Sequence, residues 1–247
     1  MKLISAKILE ARIHDHPKEN LMFILAVMKS ATLAGAGLAL YAIIVAVLNG
    51  RYDALLRLTT WSASLVVTWL TYSNMSMFSN LASLQSNGRE TLFLFIKSPI
   101  EFLLFAVLIE TQQPIWFVWP LVFSVIAAVS WVKIHFLVRA MSEDRYEPLL
   151  RPLLKEIADL ARKKDIPGAL RGAIVFLVLG FAILVSVKLG FLPPSIAKWV
   201  VASCGVLAHI PLGIAAKSSK AVGKTIVEYL DALEKHSRVP RPMTAAS

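Results

Sequence analysis

Long apolar stretches separated by short polar turns run through most of the chain. A helix that crosses a bilayer needs roughly 20 mostly apolar residues, and six windows approach that measure. The first, Ser30 to Asn49, carries no charge and lies between Lys29 and Arg51; its helix is expected to begin earlier, near Asn20. The second, from about Tyr52 to Phe78, is the least apolar, holding Arg57 near one end and a run of polar side chains that includes Thr59, Thr60, Ser62, Ser64, Thr68, Thr71 and Asn74. The third, Leu92 to Glu110, contains Lys97, Pro99 and Glu101, and the turn from Thr111 to Pro114 leads into the fourth, Ile115 to Val138. Gly172 to Phe191 and Ile196 to Ala216 form the fifth and sixth, joined by a short turn from Leu192 to Ser195.

Two polar stretches read as amphipathic helices. Between the fourth and fifth windows, Leu149, Leu150, Leu153, Leu154, Ile157, Leu160 and Ala161 recur at helical spacing, opposite Arg151, Lys155, Glu156, Asp159, Arg162 and Lys163. Pro167 and Gly168 are expected to stop this helix before the fifth span. A helix of this kind lies on the membrane surface or against the bundle, and in a docking role Leu153, Ile157 and Leu160 are the residues to meet a cytoplasmic protein partner. Beyond the sixth window, Val222, Ile226, Tyr229, Leu230 and Leu233 prolong the helix, followed by a tail.

The expected fold is therefore an all-α, polytopic helical membrane protein. Residues 1–29 form an N-terminal segment and the start of the first helix, 30–138 four transmembrane helices, and 139–171 the amphipathic segment. Residues 172–216 supply two more transmembrane helices, and 217–247 a C-terminal helix and tail.

Composition supports this reading. Of 247 residues, 57% are hydrophobic and 17% charged, with a mean hydropathy of +0.65, against about 25% charged in ordinary soluble domains. The N-terminal charges include Glu10, Asp15 and Glu19, and the first apolar run continues far past a signal-peptide core, so no cleaved signal is expected. Cys204, the single cysteine, has no intrachain disulfide partner.

Orientation follows from Lys and Arg, which favour the cytoplasmic side. With the N-terminus inside, the outer segments hold Arg51, Arg57, Lys188 and Lys198, and the other 22 of the 26 basic residues fall on or near the cytoplasmic face. Both termini are thus expected in the cytoplasm, and the net charge of +10 needs no nucleic-acid partner. The expected location is a bacterial inner (plasma) membrane. Trp116, Trp119, Trp131 and Trp199 are expected as interfacial anchors.

Ionisable groups at membrane depth are costly and mark functional sites. Glu101 is the strongest candidate. Lys97 lies one turn away and is expected to pair with it, and Pro99 between them removes a backbone donor. Two placements are open: Glu101 near the midplane, or, if the span begins near Pro99, in the headgroup region. His209, two residues before Pro211, is a candidate proton-exchanging group or a packing residue. Thr68, Thr71 and Asn74 on the second helix line a wet path or bond across helices, while Ala31, Gly35 and Gly37 permit close helix approach.

No metal-ligand cluster, nucleophile motif or nucleotide fingerprint is legible, so neither a cofactor nor an enzymatic activity is expected. Gly223-Lys224-Thr225 resembles the end of a phosphate loop, but Ser218 stands where that loop has glycine and no strand precedes it. Nor do the two halves echo each other as inverted repeats would. Two readings follow. In the first, an oligomeric membrane protein provides a channel or transport path for an ion or small solute. In the second, a non-transporting membrane-complex subunit or scaffold docks a soluble partner through its cytoplasmic helices.

Overall fold

The computed structural model describes residues 17–82, 88–109, 114–141 and 151–238, with some side chains near the ends of these stretches outside that description. Among the described residues the chain is helical, without strands. Helix α1 spans Pro17–Leu48, α2 Arg57–Ala82, α3 Gly88–Ile109 and α4 Trp119–Met141. Helix α5 spans Arg151–Leu160, α6 Ile166–Lys188 and α7 Pro194–Arg238. Short 3-10 turns, Tyr52–Leu56 and Pro114–Val118, precede α2 and α4.

Four helical stretches are long and apolar enough to cross a membrane: Ala26–Leu48, Ile115–Phe136, Arg151–Lys188 and Pro194–Tyr229. The described parts of α2 and α3 fall outside that group, and they are the two windows the sequence marks as polar or interrupted. Large apolar side chains nevertheless cover the outside of the bundle, among them Leu38, Tyr41, Val178, Phe181, Val206 and Ile210. Water is a poor solvent for such a surface. The protein is embedded in a membrane through its apolar helices.

The helices pack chiefly in pairs: α4 on α6, α1 on α3 and α2 on α7. Glycine sets the closest approaches. A Cβ on Gly205 of α7 would lie 2.7 Å from the backbone of Thr59 and Thr60 in α2, and one on Gly35 of α1 would lie 2.8 Å from the Phe102 ring in α3. Gly37, by contrast, faces open space. The core between the pairs is aromatic and aliphatic, with Leu104, Phe105, Leu108, Trp116, Phe117 and Trp119 almost fully enclosed.

One end of the bundle carries tight turns. Helix α1 closes on Gly50, whose φ of +80° suits glycine, with Arg51 N–H donating to the Ala46 carbonyl at 2.9 Å. Lys198 at the start of α7 pairs with Asp53 in the adjoining 3-10 turn, so both connections lie at this turn end. That hydrogen bond and the nearby cation hold the Asp53 carboxyl below its ordinary range despite partial burial. The opposite, basic end holds Arg139, the amphipathic helix and the exposed lysines of α7.

Two expectations change here, and a third is narrowed to packing against the bundle. Pro167 and Gly168 do not stop the amphipathic helix: α5 runs into α6 through a π-helical turn, Ala161–Asp165. The residue four before Pro167 is Lys163, inside that wide turn, where the proline ring meets a displaced carbonyl and the chain continues. Trp116 and Trp119 are not interfacial anchors. They are 2% and 0% exposed and donate their indole N–H groups to Thr60 and Ser64, each at 3.0 Å. Finally, the apolar stripe of α5 faces its own chain. Leu153, Leu154, Ile157 and Ala158 are buried in a cluster with Val138 of α4 and Val222 of α7, and Leu160 packs against it. Leu153, Ile157 and Leu160 therefore present no docking surface, because intramolecular packing already covers them.

Candidate functional site

Glu101 lies 13 residues into α3, about 20 Å along the helix at 1.5 Å per residue. The helix is continuous from Gly88 through Pro99, so the segment before Glu101 is part of one helix rather than a separate interfacial one. The carboxylate is fully enclosed, at 0% exposure, and its ion-pair partner is Lys29 of α1, itself 4% exposed. Sequence reasoning expected Lys97 in that role and took Lys29 as the boundary of the first span. With α1 starting at Pro17, Lys29 lies three turns inside the helix. An earlier start of that helix was legible, and it was the available sign.

Lys97 turns to another neighbour and donates to Ser130 Oγ of α4 at 2.9 Å. It also stands within electrostatic reach of Glu101 and Lys29. Three charges from α1 and α3 thus meet beside α4, two positive and one negative. In a low-dielectric interior such charges interact strongly and tolerate loss of a partner poorly. Glu101 Oε1 and Ser98 Oγ, both buried on α3, have no hydrogen-bond partner.

The hydroxyl-rich helix is drier than a pore wall. Thr60, Ser64, Thr68 and Thr71 are all buried, and their hydroxyls donate back to carbonyls of their own helix at 2.7–3.1 Å. Thr60 and Ser64 then accept the two indoles, and Thr59 bonds the Ala202 carbonyl of α7 at 2.9 Å. Most of these groups hold helices together. The Asn74 side chain lies outside the described residues. His209 is on the outer surface of α7, with Nδ1 2.9 Å from the Gly205 carbonyl and Nε2 3.3 Å from Ser62 Oγ. It does not join Glu101 and Lys97.

What sequence reasoning missed is a cavity. Between α2, α3, α4, α5, α6 and α7 lies a space of ≈ 190 Å³, and Lys97 lines it together with Thr71, Ser130, Lys133, Lys164 and Asp165. Its remaining lining is mostly apolar, including Phe123, Ile126 and Leu212. Lys133 and Lys164 are 31 residues apart in the chain, and nothing local marks them as neighbours. Their convergence depends on the π turn, which carries Lys164 and Asp165 toward α4 and α7. Asp165 accepts Ser218 Oγ at 2.9 Å on one oxygen, while the other is buried without a hydrogen-bond partner. This π turn precedes the apolar stretch of α6, and burial there raises the Asp165 carboxyl above its ordinary value, against the opposing effects of Ser218 and Lys164.

Chemically, three ammonium groups and one carboxylate around an apolar space favour a negatively charged guest. Among the described residues no group of His, Cys, Asp or Glu is disposed to hold a metal ion. No family model, curated protein or solved structure matches the chain. The functional reading accordingly rests on the geometry.

Proposed function

We propose that this protein is an integral membrane protein of six spans with both termini in the cytoplasm, and that it provides a transport path for a small solute bound in the Lys97 cavity. The cavity carries this reading. A ligand compartment placed between helices of a bundle, with a few polar groups on mainly apolar walls, is how such proteins commonly hold a guest. Supporting the topology, the Lys and Arg residues concentrate at the basic end, where the cavity's own lysines lie.

The path runs beside α3, whose Lys29–Glu101 pair fixes the helix against α1 while Lys97, one turn away, faces the guest. Lysine selects negative charge, so the favoured solute is an anion. The protein acts as an oligomer: His209 and Ser62 are polar groups on an otherwise apolar outer face, and a second copy covering that face keeps the imidazole out of hydrocarbon.

Reconstitution tests the reading. Proteoliposomes should take up small organic anions faster than protein-free liposomes, and Lys97→Met should lower uptake at least tenfold while leaving the elution volume unchanged. Equal uptake by both proteins, or no uptake above empty liposomes across a panel of anions and cations, rejects it.

A further inference from the structure

The inner part of the cavity is mostly apolar, and its polar side chains stand nearer the basic end, interleaved there with Ile134, Val138, Ile157 and Val222. On α4, Phe123 and Ile126 come before Ser130 and Lys133, so the apolar pair lies toward the middle of the bundle and the polar pair toward its basic end. On α7, Leu212 comes before Ser219 in the same direction. The π turn and α6 run the other way: Lys164 and Asp165 of the turn lie at the basic end, with Gly172 of α6 deeper. A site for a compact inorganic anion would need no apolar inner half, and one for a neutral hydrocarbon no lysines.

We propose that the cavity binds a single-chain amphipathic anion, an alkyl or acyl chain ending in a carboxylate or phosphate. The tail lies against Phe123 and Ile126 and the headgroup lies among Lys97, Lys133 and Lys164. A dry cavity of about 150 Å³ accepts a six-carbon ring, so ≈ 190 Å³ accommodates a chain of roughly six to eight carbons. Two-chain phospholipids are too large. Three lysines and one acid, Asp165, line the cavity, and long-stemmed ammonium groups reach a carboxylate or a phosphate equally well. This inference deepens the transport reading and rests on it for the use of the site, but binding can be measured without flux.

The full-length protein in phosphatidylcholine nanodiscs is titrated with straight-chain alkanoates and alkyl phosphates by calorimetry, with empty nanodiscs as the baseline. Affinity should rise about fourfold per added methylene and level off near eight carbons, for both headgroups. Octanol and octylammonium should give no saturable heat. Lys97→Met should weaken octanoate binding at least tenfold. Ala127→Leu, which fills the apolar half, should remove the gain with chain length.

Affinity independent of chain length, equal binding of octylammonium, or no saturable heat overturns the proposal, as does displacement of octanoate by phosphatidic acid in the disc. Octanoate binding without anion flux leaves this inference standing and removes the transport reading. Flux of inorganic anions without octanoate binding does the reverse.

Discussion

Removing either member of the Lys29–Glu101 pair should unfold the protein far more readily than removing both. The two groups are 4% and 0% exposed, so neither recovers solvation when its partner is lost. Breaking a buried pair from one side costs about 3–5 kcal/mol, which is roughly two to nearly four powers of ten in the folding equilibrium. Glu101→Gln leaves the Lys29 ammonium facing a neutral amide, and Lys29→Met leaves the carboxylate with both oxygens unpaired. The double variant Lys29→Met/Glu101→Met replaces the pair by apolar groups of similar length, a change that is often neutral or stabilising. The assay is reversible unfolding in mixed micelles, read by circular dichroism and analysed as a double-mutant cycle. Lys224 and Glu228 provide the control, because they are 3.4 Å apart but 77% and 64% exposed, and breaking that pair should cost less than about 0.5 kcal/mol. Single variants at Lys29 and Glu101 that also cost under about 1 kcal/mol would refute the argument, because the pair would then be behaving as a solvated one.

Other consequences concern packing and protonation. Gly205→Ala places a methyl group against the α2 backbone and should cost about 1–3 kcal/mol, whereas Gly37→Ala, facing open space, should gain about 0.5–1 kcal/mol; thermal melts of the two separate the cases. Trp119→Phe and Ser64→Ala should each cost about 0.5–1.5 kcal/mol for the shared hydrogen bond, with a clear coupling energy when combined. Asp165 supplies a pH dependence. A carboxyl whose folded value is raised makes the folded state bind more protons, so its destabilising effect is absent below the ordinary value of 3.8 and develops as pH rises through the folded value. Asp165→Asn should therefore be stabilising at pH 7 and indifferent near pH 3, in paired melts at the two values.

The helical plan was legible because membrane burial writes itself as long apolar windows. The weak windows also fall on helices: α2 carries its hydroxyls and α3 its lysine, proline and glutamate in the expected places. The prolongation of α7 far past its apolar part was readable from the spacing of Val222 and Ile226. Pairing was not. Glu101 is one turn from Lys97 in the chain and 72 residues from Lys29, and nothing local to α3 shows which face of α1 turns toward it. The same limit hid the role of Trp116 and Trp119, since an aromatic residue at a span's end has one composition whether it meets headgroups or a hydroxyl on a neighbouring helix. Pro167 misled for a different reason: its usual helix-ending clash is relieved by a π turn, and the sequence carries no mark of that widening. The cavity is a further step removed, because it depends on six helices and the space left between them.

The most direct test of the central claim is access to the Lys97 cavity from the two sides of the membrane. In a Cys204→Ser background, Ala127→Cys places one thiol among the cavity-lining residues. A membrane-impermeant, negatively charged methanethiosulfonate is then applied to inside-out and right-side-out vesicles. The account predicts rapid labelling from the cytoplasmic face, slowed when Lys97→Met is added. Labelling from the outer face alone, or from neither face, would contradict it.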